Sequence, residues 1–349
     1  MKKLLIFLLI ITGFIFLFSV LRGTFSEYPA PNPLHKLDYF GSVGIGKDKV
    51  EKGNASFMKN YTKLDSLSLY WYNLDEENKI TRDESVSEKT EAETVSFAKE
   101  NGIKVSLGIS DHGEAQKADD FLGDEQNRKE NIESIISVLE SKGYDGVMID
   151  YEDLRVEQEE EFTNYMKLLS AQIRSKGKEL GISVPTETKG KITHGINLAD
   201  ISKIVDKMHL NVYEQHGKDT VPGPIASIAW TNDIIKNAVK QGVDPEKIIL
   251  GTAHSGHNWI ISPDEEFYKD MATDDTLELL QKTNAQLQWD NEKKANFFTY
   301  EDDSGKEHIV WLEDVKSFKS KIDLAKAYRL KGIFLWYLGG EDPEIWKII

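Results

Sequence analysis

Two carboxylates stand two residues apart in GYDGVMIDYEDL, residues 143–154: Asp150 and Glu152. On a strand, alternate side chains share a face, so Met148, Asp150 and Glu152 line up on one side. Paired acids suit proton transfer. Like-charge pressure from one raises the pKa of the other, and a carboxyl that keeps its proton near neutral pH can protonate a leaving oxygen. Met148 cannot ionise and stands directly behind the pair.

The surrounding elements fix where such acids would sit. Short apolar runs alternate with longer amphipathic ones from Leu37 onward. LDSLSLYWYNL, IKVSLGIS, YDGVMIDYE, LGISVPTE, KMHLNVYEQHG, EKIILGTAHSG and IFLWYLGGED read as strands. Helical patterns stand between them, as in NRKENIESIISVLESKG, where Ile132, Ile135, Ile136 and Leu139 recur at helical spacing and Gly143 follows. Strand–helix alternation repeated close to eight times predicts parallel βαβ units closed into an α/β (β/α)8 TIM barrel. No Gly-x-Gly-x-x-Gly turn and no Walker loop supports a doubly wound nucleotide-binding sheet. Residues 258–312 break the rhythm. FFTYEDDSGKEHIVWLED has a hairpin pattern with its turn at Asp303-Ser304-Gly305, and predicts a small hairpin-like insertion between the seventh and eighth barrel strands.

In such barrels the site lies at the C-terminal ends of the strands. The residues there are Tyr70, Trp71 and Tyr72; Asp111 and His112; Asp150 and Glu152; Glu187; Tyr213 and Glu214; His254; and Trp336. Acids among aromatic platforms suit a sugar polymer, because flat rings stack on the apolar faces of pyranoses. His112, His209, His216, His254 and His257 lack the spacing of metal ligands on one element, so neither a metal nor another cofactor is expected.

At these residues the chain resembles glycoside hydrolase family 18, the barrels of chitinases and bacterial cell-wall N-acetylglucosaminidases. DGVMIDYE, Asp145 to Glu152, resembles the family's Asp-Gly-x-Asp-x-Asp-x-Glu strand-four signature. VDKMHLNVYEQHG, EKIILGTAHSGHNW and KGIFLWYLGGEDPEIW resemble later family segments in the right order. The resemblance implies that Glu152 is the general acid, that Asp150 orients the substrate's N-acetyl group, and that Tyr213 hydrogen-bonds the acetamido oxygen. It implies no enzyme nucleophile: the acetamido oxygen attacks the anomeric carbon, an exception to the two-carboxylate scheme. Trp336 is the expected floor for the sugar, and Asp145, Glu214, Tyr70, Glu187 and Asn211 are expected to contact substrate. Two departures stand out. The family's middle Asp is Met148, which reads as core filler at the barrel mouth and would leave Asp150 more ionised. The family's Tyr-Asp pair is Tyr213-Glu214.

Composition narrows the partners. A net charge of −16 disfavours nucleic acid and anionic headgroups and suits a neutral polymer or a cationic matrix. The absence of cysteine excludes disulfides, thiolate metal sites and a Cys nucleophile. At the N-terminus two lysines precede Leu4 to Leu21, 18 residues without a charge. As a helix these would rise ~27 Å, close to a bilayer core. No small-x-small cleavage site follows, so an uncleaved signal anchor is favoured over a cleaved peptide. The expected organisation is a signal anchor or signal peptide over residues 1–22, a linker over 23–36, and the barrel over 37–349. Lys2 and Lys3 would stay cytoplasmic and the barrel would lie outside, on the outer membrane face or secreted. The expected function is an exported, monomeric hydrolase of β-1,4 linkages in N-acetylglucosamine polymers, with peptidoglycan or spore cortex ahead of chitin. The alternative is a weakly active or inactive carbohydrate-binding protein on the same barrel. A metal-dependent deacetylase would need a His/Asp triad that the sequence does not offer.

Overall fold

The computed structural model describes residues 28–111, 121–152, 154–186, 195–261 and 267–349. Fourteen strands are found among them: β1 (Asp38–Val43), β2 (Ser66–Leu74), β3 (Ile80–Arg82), β4 (Lys104–Ser110), β5 (Gly146–Asp150), β6 (Glu179–Val184), β7 (Lys207–Asn211), β8 (Ile248–Ala253), β9 (Ser255–Ile260), β10 (Tyr268–Ala272), β11 (Gln288–Asp290), β12 (Ala295–Glu301), β13 (Glu307–Leu312) and β14 (Gly332–Trp336). Eight of these, β1, β2, β4–β8 and β14, pair in parallel, and β1 also pairs with β2. That second pairing closes the sheet into the expected TIM barrel, with β3 appended to β2 as an antiparallel ribbon.

Local sequence explains the helices around it. Ser87, Asp124, Asn197 and Ser227 each accept a backbone N–H at a helix start, which satisfies donors that the first turn leaves open. Gly143 ends Glu125–Lys142 with φ of 77°, a left-handed conformation that glycine adopts without Cβ strain. Ile135, Leu139, Phe162 and Leu169 bury their side chains between helices and strands. The helix Lys47–Asn60 is absent from the sequence reading. Its buried face holds only Val50, Gly53, Asn54 and Phe57, so its apolar stripe is too sparse to register as a period.

The insertion is larger than a hairpin. β9–β13 form a separate five-stranded antiparallel sheet in the order β10-β9-β13-β12-β11. The expected hairpin is its β12–β13 pair, with Asp302 and Lys306 facing each other across the turn. One face of the sheet packs Phe298, Val310 and Leu312 near Leu277 and Leu280 of the helix Thr273–Thr283. The other face carries Trp259 and Trp311 against Ile225 and Ala253 of the barrel. The other three strands were illegible because their patterns are half-polar and their pairing is non-local.

The expected linker is not free along its whole length. Tyr28 packs against the core, and the His35 ring Nε2 lies 2.6 Å from the Leu330 carbonyl. This docks the chain beside the starts of β1 and β14. The expected membrane segment, residues 1–22, lies outside the described residues. Among those that are described, no helix is long and apolar enough to cross a membrane.

Candidate active site

The alternation of β5 decides which side chains enter the barrel. Val147 and Ile149 face the helices, as does Tyr151 after the strand, where it meets Phe121 and Phe162. Met148 and Asp150 face inward. Met148 is wholly buried in a small cluster with Phe40, Tyr70, Ile249 and Phe334. A Cβ at Gly181, its partner on β6, would come within 2.2 Å of the Met148 Sδ. Gly181 is therefore small because Met148 occupies its space. The expectation of core filler holds, in the interior of the barrel.

Asp150 lies one turn of the pleat above Met148 and is 8% exposed. Burial, then the facing carboxylates of Glu152 and Asp111, push its pKa well above the usual range, while Ser183 and Asn211 pull the other way. The absence of an acid at position 148 removes one like charge, but desolvation outweighs that gain. The Asp150 Oδ1 is buried without a hydrogen-bond partner.

Glu152 is half-buried just beyond the strand. Its backbone N–H donates to Asp111 Oδ1 at 3.1 Å, and the Asp111 N–H donates back to the Asp150 carbonyl at 3.4 Å. Asp111, fully buried at the end of β4, thus pins the backbone that carries both acids. Its place just after IKVSLGIS, at a strand end, was the readable signal for it.

Aromatic side chains complete the site. Trp336 ends β14, and its peptide bond to Tyr337 is cis. The Tyr213 ring lies almost parallel to the Trp336 ring, with centroids 6.5 Å apart and an interplanar angle of 9°. Burial and the charges of Asp150, Glu214 and Glu152 hold the Tyr213 phenol well above its ordinary pKa, so it stays an O–H donor. A cleft of about 790 Å³ opens beside this pair and is lined by Glu214, His257, Tyr268 and Tyr337 among others. Asp150 and Glu152 are not part of its lining. Tyr213 and Trp336 are common to the cleft and to the contacts around the acids.

The remaining expected contacts divide. Glu214 is exposed in the cleft, and Asn211 is buried beside Asp150 with its Oδ1 unpartnered. Tyr70 is only 4% exposed. It stands edge-on to Trp336 with centroids 5.4 Å apart, so it supports the floor and does not form it. Asp145 is at the wrong end of β5. It precedes the strand, where its carboxylate accepts the Val105 N–H at 3.1 Å and its Oδ1 lies 3.6 Å from the Lys178 ammonium. It stands five positions before Asp150, ~17 Å along a strand, so it ties β4 to β5 far from the acids. Glu187 and His112 lie outside the described residues. Among the described residues no three His, Asp or Glu side chains cluster as metal ligands.

The buried acid makes a stability prediction. The folded pKa of Asp150 is raised, so the native state holds a proton that the unfolded chain has released. Its stability therefore falls as pH rises through the ordinary Asp value of ~3.9 toward the folded pKa. Asp150→Asn removes the titration. The variant should melt higher than the wild type at pH 7, by about 2–4 °C per kcal/mol recovered, and the gap should close toward pH 4. A constant gap across that range, measured by calorimetry, would count against a protonation origin.

The profile of Glycosyl hydrolases family 18 matches residues 38–341. YdhD of Bacillus subtilis (strain 168), provisionally named a sporulation-specific glycosylase, is 30% identical over 221 residues, 62% of this chain and 52% of YdhD. The cortical fragment-lytic enzyme of the same organism is 24% identical over 235 residues, 66% of this chain and 54% of that protein. This chain thus spans about half the length of these two relatives. The crystal structure of the Bacillus megaterium QM B1551 spore cortex-lytic enzyme SleL superimposes with a TM-score of 0.79 at 21% identity, covering 91% of this chain and 74% of that one, a likeness of fold. With nearly the whole barrel matched by one family profile, the chain belongs to glycosyl hydrolases family 18.

Proposed function

We propose that this chain hydrolyses β-1,4 linkages next to N-acetylglucosamine, with retention and without an enzyme nucleophile. The observation that carries this reading is the buried Asp150, with one unpartnered carboxylate oxygen, beside Glu152 and near the parallel Tyr213–Trp336 pair. A sugar on Trp336 would offer its acetamido N–H to Asp150 and its acetamido oxygen to the Tyr213 hydroxyl. Glu152 gives its proton to the glycosidic oxygen as the C1–O bond breaks. The acetamido oxygen then bonds to C1, and the positive oxazolinium formed lies against the Asp150 carboxylate. Glu152, now a carboxylate, takes a proton from water as that water attacks C1 and opens the ring.

Spore-cortex or vegetative peptidoglycan is the first substrate and chitin the second. The names of the relatives support that order, as does the apolar N-terminal run, which suits export and tethering. A tether entering beside His35 and Leu330 would hold the barrel by its base, with the acids facing away from the membrane.

The test uses two chromogenic oligosaccharides that differ only at C2 of the reacting sugar, acetamido against hydroxyl. A site built to hydrogen-bond a substrate group rejects an analogue without it by about 10⁴-fold, and here the analogue also lacks the nucleophile. Comparable cleavage of both would overturn substrate assistance. Faster release from colloidal chitin than from purified cortex would reverse the order of polymers.

A further inference from the structure

Asp150 must hold one orientation, yet nothing below it on its own strand can hold it. The inward neighbour there is Met148, which offers no hydrogen bond. The support comes instead from across the barrel. The Tyr70 hydroxyl on β2 lies 2.9 Å from the Ser183 hydroxyl on β6, and both residues are buried, at 4% and 2% exposed. Ser183 stands one residue beyond the Ile149–Ile182 pair that aligns β5 with β6, level with Asp150. The two side chains therefore share the barrel interior on adjacent strands, and Ser183 is among the groups that lower the Asp150 pKa.

We propose that Tyr70 and Ser183 form a buried hydroxyl relay that positions the Asp150 carboxylate. An ionised carboxylate only accepts. In the ionised state of Asp150 that catalysis uses, the order in which each O–H donates is therefore Tyr70 to Ser183 to Asp150. Chained hydrogen bonds polarise one another in a low dielectric, so loss of the far phenol weakens the near bond. The same Tyr70 ring braces Trp336 edge-on, which couples the sugar floor to the acid. Both are positioning residues, and their role in turnover rests on the hydrolase reading above. The other groups facing Asp150 are Glu152, Asp111 of β4 and Asn211 of β7, with Tyr213 beside them. His209 stands opposite Ser183 on β7 with its ring against Phe334, and Lys207 lies deeper, opposite Gly181.

The experiment compares the full chain with Tyr70→Phe, Ser183→Val, Ser183→Thr and the Phe/Val double variant. Val and Thr share a shape and differ by the hydroxyl, which separates packing from the hydrogen bond. Two readouts are taken: the ¹³C-detected titration of the Asp150 carboxyl, and kcat and KM against pH on the acetamido substrate. Tyr70→Phe and Ser183→Val should each raise the Asp150 titration and lower kcat by about tenfold, the worth of one hydrogen bond to a charged group, with KM little changed. The double variant should be no worse than the worse single, and Ser183→Thr should recover what Ser183→Val loses. An unmoved titration, additive losses, or Thr behaving like Val would overturn the relay. If the titration moves but the wild type turns over no substrate, the relay stands and the hydrolase reading fails.

Discussion

Glu152→Gln should lower kcat by about 10²–10⁴-fold, the usual worth of a positioned general acid–base, while KM and folding stay nearly unchanged. Gln keeps the length and hydrogen-bonding of the side chain but cannot give up a proton to the leaving oxygen. The change leaves untouched the backbone N–H of residue 152, which Asp111 holds at 3.1 Å, so the strand end should survive it. Steady-state rates on the acetamido oligosaccharide, measured beside a melting curve, give the result directly. Equal rates for wild type and variant would remove Glu152 from the mechanism and leave a sugar-binding barrel.

Much of this site was readable in the chain because strands obey a period of two. That period placed Met148 and Asp150 on one face and predicted the inward direction of both. The helix–strand rhythm predicted the barrel, and barrel geometry placed Trp336 and Tyr213 at the same rim as Glu152. Three things were not readable. Asp145 shares a motif with Asp150, but a motif does not say which end of a strand each residue occupies. Tyr70 sits in β2, where the register shifts between Leu69 and Tyr72, so its direction could not be counted from the strand start. Ser183 is an ordinary serine until the closed barrel brings β2 across to β6. Its one sequence signal is a polar residue between Ile182 and Val184 at an inward position of LGISV. Beyond its β12–β13 hairpin, the insertion sheet failed to register for a related reason: its order is set by pairings between distant strands.

Met148→Asp should destabilise the protein by about 3–5 kcal/mol, the cost of opening a core and burying an uncompensated polar group, on the order of 10 °C in melting temperature. The position is fully buried among Phe40, Tyr70, Ile249 and Phe334, and the Met148 sulfur fills the space above Gly181. A shorter carboxyl would leave that space unfilled and face rings. The nearest cation gives no relief. Lys207 is itself buried, with its ammonium 3.1 Å from the Ser106 hydroxyl and 3.7 Å from Glu179, so meeting a new acid means abandoning those partners. The Tyr70 hydroxyl is held by Ser183. Burial would keep the new carboxyl protonated, so it would act on the core as an unpaired polar group. Met148→Leu is the control. It preserves volume and should cost below about 1.5 kcal/mol, with turnover retained. The two changes separate a packing position from a silenced catalytic one. If Met148→Asp melts like the wild type and turns over faster, the interior is still built for an acid at position 148, and Met148 is a lesion in the site. If Asp unfolds the barrel while Leu leaves it active, the barrel has been repacked around methionine, and Asp150 takes its support from neighbouring strands.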